Sequence, residues 1–100
     1  MGSLIAQVFK SRLVFPKVFG AAATSEQFEV ALLARAPLLS ARERAVCARI
    51  ATGMSVDGIA VDLGVAPSTV MTLRKRAYAK LQAQGGPSDR LRLVRWLTVN

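Results

Sequence analysis

The residues best suited to chemistry in this sequence form a basic stretch between residues 71 and 82. Arg74, Lys75, Arg76 and Lys80 lie within it, and neither Asp nor Glu interrupts them. Guanidinium and ammonium groups bind phosphate oxygens, and they also donate hydrogen bonds to the guanine acceptors of the DNA major groove. With a formal net charge of +8 on 100 residues, the chain points to a polyanionic partner, either nucleic acid or an acidic membrane surface.

The basic stretch has the pattern of an amphipathic helix that begins at Pro67. When residues 67–82 are placed at intervals of about 100°, two faces separate. One face is apolar and is predicted to pack in the core: Val70, Leu73, Ala77 and Leu81. The opposite face combines small side chains, hydroxyls and cations: Ser68, Thr72, Lys75 and Ala79, flanked by Met71 and Arg76. Small residues on such a face allow a helix to lie close to base edges.

This outward face predicts two kinds of DNA contact; the alternative is a solvated basic helix surface with no ligand. Base contacts are predicted for Lys75, which reaches guanine acceptors, and for Met71 and Thr72, which offer apolar contact to a thymine methyl group. Phosphate contacts are predicted for residues in the first turn and on the flanks of the helix: Ser68, Thr69, Arg76 and Lys80.

The residues before this helix predict the element that positions it. Ser55 caps a short helix, Val56–Leu63, whose apolar positions have the i, i+3, i+4, i+7 spacing of a core-facing stripe. Gly64 suits the left-handed backbone of a tight corner, and Pro67 suits the first position of the next helix. Two helices joined by such a corner, with a basic second member, are typical of a helix-turn-helix, whose second helix enters the major groove.

Two further helices are predicted on the amino-terminal side of this motif. The first, Glu26–Ala36, is capped by Ser25. The second opens with a capping box of Ser40 and Glu43 and runs to about Ala51. Their predicted apolar positions are Phe28, Leu32 and Ala36, with Leu33 beside them, and Val46, Cys47 and Ile50.

A last helix is predicted to open at Ser88 and Asp89 and to run to about Leu97, after the loop Gln84–Pro87. One side of this helix carries Leu91, Val94 and Leu97, with Arg90, Arg92 and Arg95 among them. The composition is 52% hydrophobic but only 6% aromatic, which favours packed helices over a sheet. The sequence therefore predicts an all-α fold.

Several classes of function are excluded by the residues that the chain contains. Cys47 is the single cysteine and there is no histidine, so neither an intrachain disulfide nor a Cys/His metal site or nucleophilic pair is expected. No acid–base pair or phosphate-binding loop is visible, so the chain is not expected to be an enzyme. We predict no cofactor and no metal.

Residues 1–37 are predicted to form an amino-terminal helical segment or linker. Leu4, Ile5, Val8, Phe9 and Leu13 recur at helical spacing, and Pro16 ends the pattern. The segment is too charged to span a membrane. It is interpreted as a packing helix or the end of an upstream domain, with a transit peptide or a membrane-surface helix over residues 4–15 as alternatives.

Several motifs together resemble the LuxR-type helix-turn-helix of bacterial transcription regulators, which include quorum-sensing receptors and response-regulator output domains. The resemblance extends over about residues 38–97. It rests on Leu39-Ser40-Ala41-Arg42-Glu43-Arg44, Gly53, Ile59-Ala60, Leu63-Gly64-Val65, Ser68-Thr69-Val70 and Lys80-Leu81. Ala66 stands where the family has a capping serine, Gly58 stands where it has a helix former, and the loop before the last helix looks longer than usual.

The resemblance implies a four-helix domain at residues 38–100 that acts as a cytoplasmic, nucleoid-associated regulator. Its third helix reads double-stranded DNA, with Met71, Thr72 and Lys75 at the base-facing positions and Thr69 at a phosphate-contacting one. Its fourth helix forms a homodimer through Leu91, Val94 and Arg95. RNA polymerase is a candidate second partner.

Two alternative functions remain open at this point. The same helix pair is similar to region 4 of sigma factors, which contacts a promoter element within RNA polymerase. A truncated regulator that keeps its dimerisation helix can also act as a protein-interaction antagonist of full-length partners.

Overall fold

A computed structural model describes residues 23–98, and this part of the chain folds into α-helices without a strand. The helices are α1 (Ser25–Arg35), α2 (Ala41–Ala51), α3 (Val56–Leu63), α4 (Pro67–Ala83) and α5 (Arg90–Thr98). The predicted all-α class and the four helices from residue 38 onward are confirmed. The predicted helix over Leu4 to Leu13, and with it the membrane-surface alternative, lies outside the described residues.

Capping boxes fix the starts of α1 and α2. At α2 the prediction is confirmed, since Ser40 Oγ accepts from the Glu43 amide at 3.1 Å and the Ser40 amide donates to Glu43 Oε1 at 2.8 Å. At α1 the predicted cap, Ser25, is wrong. Thr24 caps the helix instead, because a capping box needs Gln or Glu three residues later and Gln27 stands in that register.

A single hydrophobic core joins the five described helices. Its α1 and α2 members include the predicted Phe28, Leu32, Ala36, Val46, Cys47 and Ile50. Leu33, placed beside the α1 stripe, is 54% exposed. Burial raises the pKa of the Cys47 thiol to about 12, so this cysteine stays protonated as an inert core residue. Residues of α1 and α2 belong to the same core. The domain boundary after residue 37 stays a prediction.

The last helix buries Leu93 and Leu97, which lie one turn apart. Leu93 was left out of the predicted stripe, whereas Leu91 is 67% exposed and Val94 is half-buried. The helix is capped by Asp89, whose Oδ1 accepts from the Arg92 amide at 2.9 Å. The i, i+4 pair therefore sets the buried face. Of the predicted stripe, Leu97 belongs to this face, Val94 packs against its edge and Leu91 points to solvent.

Among residues 23–98, no single helix is long and apolar enough to cross a membrane. The bent pair α3 and α4 satisfies the same test of length and composition when the two helices are joined. Ile59, Val70 and Leu81 of this pair are buried in the core of the fold, whereas Val61 and Met71 are exposed.

Candidate nucleic-acid interface

The corner between α3 and α4 sets the direction of the basic helix. The two helices meet at an angle of 105°, within the range of helix-turn-helix motifs. Gly64 has a φ of 69°, in the left-handed region, and the Val65 amide donates to the Ala60 carbonyl at 3.0 Å. The predicted corner is confirmed, and it turns α4 away from α3 so that one of its faces stays open.

The start of α4 lacks the side-chain cap that helix termini usually have. Ala66 occupies the cap position and makes no side-chain hydrogen bond to the first turn. Pro67 stands at the first helical position, where its missing N–H costs nothing. The first-turn amides beside Ser68 and Thr69 therefore have no side-chain acceptor from the cap residue, and both residues are exposed.

The two predicted faces of α4 are confirmed. The four predicted core positions, Val70, Leu73, Ala77 and Leu81, are all buried. The predicted base-facing residues Met71, Thr72 and Lys75 are exposed, and so is Arg76. Met71 is 50% exposed, although it is apolar. The structure thus brings the base-facing candidates together on one open surface, and their contacts with DNA stay predictions.

Lys80, predicted as a phosphate contact, has partners within the fold. Its Nζ donates to Glu43 Oε1 at 2.8 Å and to the Leu38 carbonyl at 3.2 Å. Glu43 is buried at 4% exposure. Burial alone raises the pKa of Glu43, but hydrogen bonds from Lys80 and Ser40 outweigh it and lower that pKa below its ordinary value. Lys80 therefore neutralises the one buried carboxylate of the described residues and ties α4 to the start of α2.

A second ion-pair network, which the sequence did not reveal, supports α3. Arg49 Nε lies 2.6 Å from Asp62 Oδ2, and Arg49 Nη1 lies 3.1 Å from Glu29 Oε2. The hydrogen bond to Asp62, followed by that to Glu29, raises the pKa of Arg49 despite partial burial. Arg49 on α2 thus connects α1 to α3, the supporting helix of the motif. The paired residues are 20 and 13 positions apart in the sequence, so no local sequence pattern predicts these two ion pairs.

Two shallow grooves lie beside α4 and share Arg74 and Tyr78 in their walls. The first has a volume of about 420 Å³ and is lined by Met71, Thr72, Arg74, Lys75 and Tyr78. The second, of about 480 Å³, extends past the end of α2 and the start of α3 to the start of α5. Burial is the main reason that the pKa of Tyr78 is raised to about 12, so its hydroxyl keeps its proton and can donate a hydrogen bond.

The three predicted dimerisation residues differ in exposure. Leu91 and Arg95 are exposed and Val94 is half-buried. Arg35 holds the helix from the other side, since its Nη1 donates to the Trp96 carbonyl at 2.8 Å and its guanidinium lies 5.5 Å from the Trp96 ring centroid. The exposed side of α5 is therefore carried on a helix that is fixed to α1.

Comparisons with known proteins agree with this geometry. Residues 37–89 match the family model described as "Bacterial regulatory proteins, luxR family". The chain is 56% identical over 59 residues to the "Probable transcriptional regulatory protein NarL" of two strains of Mycobacterium tuberculosis, CDC 1551 / Oshkosh and ATCC 25618 / H37Rv. Each match includes 59% of this chain and 26% of the relative, so it spans about a quarter of the relatives' length. No solved structure matches significantly.

Proposed function

The chain belongs to the luxR family of bacterial regulatory proteins and carries the DNA-binding helix-turn-helix domain of a transcription regulator, and on that premise we propose that it binds a two-fold operator as a homodimer. The observation that carries this proposal is the open face of α4, where hydroxyls, small side chains and cations stand together without an acidic residue. The family is one of regulators and not of enzymes.

We assign base contacts to Lys75, Met71 and Thr72. Lys75 can donate to guanine O6 or N7, and an exposed methionine beside a threonine methyl group suits a thymine methyl. Met71 is apolar and 50% exposed at the centre of a basic face, so its entry into a DNA groove has little cost in free energy. This placement supports α4 as the helix that enters the major groove.

Phosphate contacts are assigned to Ser68, Thr69 and Arg76. The first two are exposed in the first turn of α4. The Thr69 amide already donates to the Ala66 carbonyl at 3.0 Å, so the contacts are assigned to the two exposed hydroxyls, which can donate to phosphate oxygens. Arg76 is exposed on one flank of the helix. Lys80 was predicted with this set, but its bond to Glu43 supports a revised role in which it orients α4.

The homodimer is proposed to form through the exposed side of α5, with Leu91, Val94 and Arg95 at its contact. Two copies of α4 then bind half-sites about one helical turn apart. Binding to the chromosome implies a cytoplasmic, nucleoid-associated location. RNA polymerase as a partner stays a prediction, because the relatives extend well beyond the matched quarter.

The proposal is tested by selection of bound sequences from a randomised DNA pool, together with a measurement of mass in solution. We expect an enriched two-fold sequence with half-sites about 10 base pairs apart, and two chains per bound duplex. Failure of any sequence to become enriched at low salt contradicts the proposal. If the enriched sequence is a single half-site bound by one chain, only the homodimer part of the proposal is contradicted.

A further inference from the structure

Arg74 differs from the other cations of α4 because it is half-buried and has no partner among the described residues. Lys75 and Arg76 are exposed to water, and Lys80 is bonded to Glu43. The Arg74 side chain makes no hydrogen bond or ion pair within residues 23–98. A guanidinium that is partly withdrawn from water and lacks a counter-charge is unfavourable on its own, so its site favours an incoming anion.

The grooves that share Arg74 carry more groups that suit an anion. Both are lined by Tyr78, and the second is also lined by Ser55, Ser88 and Arg90. Arg90 is held at the groove wall by hydrogen bonds to the Ile50 carbonyl at 3.0 Å and the Ala51 carbonyl at 3.5 Å. These carbonyls orient its guanidinium without cancelling its charge.

One acidic residue, Asp89, also lines the second groove. Its Oδ1 accepts from the Arg92 amide at 2.9 Å, and its Oδ2 lies 3.9 Å from Arg92 Nε. The carboxylate is therefore engaged at the start of α5. Two arginines against this one acid leave a net charge of +1 on the groove lining, and the site remains attractive to a phosphate.

Arg74 lies on a different flank of α4 from Arg76. Arg76 lies two residues after Arg74, which corresponds to a rotation of about 200° around the helix. Tyr78 lies about one turn after Arg74 and is therefore on the same flank as Arg74. A helix in the major groove runs between the phosphates of two strands. Arg76 thus faces one strand, and Arg74 with Tyr78 faces the other.

We propose that Arg74, Tyr78 and Arg90 form a second phosphate site, which binds a backbone phosphate of the DNA strand opposite the one contacted by Arg76. This inference rests on the proposed function and deepens it, because it gives α4 contacts to both strands of the same half-site. The Arg74 and Arg90 guanidinium groups supply the charge, and the Tyr78 hydroxyl donates a hydrogen bond to a phosphate oxygen.

The test is phosphate-ethylation interference on the selected operator, with the whole chain as wild type, Arg74→Met and Arg76→Met. Ethylation at sites on both strands should weaken the wild type. Arg74→Met should lose the interference on one strand only, and Arg76→Met on the other. A merely structural role for Arg74 would change both strands alike, and that pattern would overturn the proposal.

Salt dependence provides a second measurement and a matched control. Loss of one phosphate contact per subunit lowers the slope of log K against log salt by about 0.9 per subunit, and it weakens binding about eightfold per subunit at 0.1 M salt. Arg74→Lys keeps the charge and should retain most of the slope. Thermal unfolding of Arg74→Met tests its fold. If that variant is unfolded, the slope and strand pattern of Arg90→Met and the strand pattern of Tyr78→Phe decide.

The outcomes separate this inference from the proposed function. Absence of sequence-specific binding by the wild type would defeat the proposed function. Specific binding with an unchanged slope and strand pattern in Arg74→Met would defeat the second phosphate site alone. If inorganic phosphate at constant ionic strength shifts the Arg74 side-chain NMR signal, but the DNA slope does not depend on Arg74, the site takes a free anion and the proposal is wrong.

Discussion

Lys80 and Arg74 stand in the same basic stretch of α4, but the fold gives them opposite situations. Lys80 is bonded to a buried carboxylate on α2, so its charge is already compensated. Arg74 is half-buried between two grooves and has no partner in the described part of the chain. The comparison teaches that a run of cations is not a uniform DNA-binding surface: a cation with an internal partner holds the helix, and one without a partner can hold a ligand.

The largest effect that this comparison predicts is a loss of stability in Lys80→Met. The variant keeps the aliphatic stem but leaves Glu43 buried without its counter-charge. We expect the free energy of unfolding to fall by about 1–2 kcal/mol, measured by urea denaturation. The salt slope of DNA binding should stay close to that of the wild type.

Arg74→Met is the matched variant for this measurement and should show the reverse pattern. Its stability should stay close to that of the wild type, while its salt slope decreases. If Lys80→Met and Arg74→Met change the stability and the salt slope in the same way, the proposed difference between Lys80 and Arg74 is wrong.

A smaller effect is expected from pH. Hydrogen bonds from Lys80 and Ser40 outweigh burial and lower the pKa of Glu43 in the folded chain. A lowered folded pKa gives a contribution to stability that is present above the unfolded pKa, about 4.3, and is lost as pH falls through the folded value. Urea denaturation between pH 7 and the acid range should therefore show decreasing stability. The decrease should be less steep in Glu43→Gln, and equal slopes would contradict this role for Glu43.

Local rules predicted much of the fold and the open face of the interface. Ser40 and Glu43 set the start of α2, Gly64 set the corner, and the helical spacing from Val70 to Leu81 separated the core side of α4 from the outward side. These features depend on residues within a few positions of one another. For that reason a single sequence was sufficient to orient Met71, Thr72 and Lys75.

The features that the sequence did not reveal depend on distant residues or on small differences in register. Lys80 meets Glu43 across 37 positions, and no periodicity reports such a pair. At α1, Thr24 and Ser25 are both suitable caps, and only the reach of Gln27 decides between them. At α5, the sequence allows either Leu91 or Leu93 on the buried face, and in the structure Leu93 is buried and Leu91 is exposed.

The most direct test of the central claim, that the outward face of α4 reads base sequence, compares Lys75→Ala with Arg76→Ala on the selected operator and its single-base variants. Lys75→Ala should abolish discrimination at one position of each half-site, worth about 1–3 kcal/mol. Arg76→Ala should weaken binding to all variants by a similar factor. If Lys75→Ala keeps the full preference at every position and loses affinity uniformly, α4 does not read bases through Lys75.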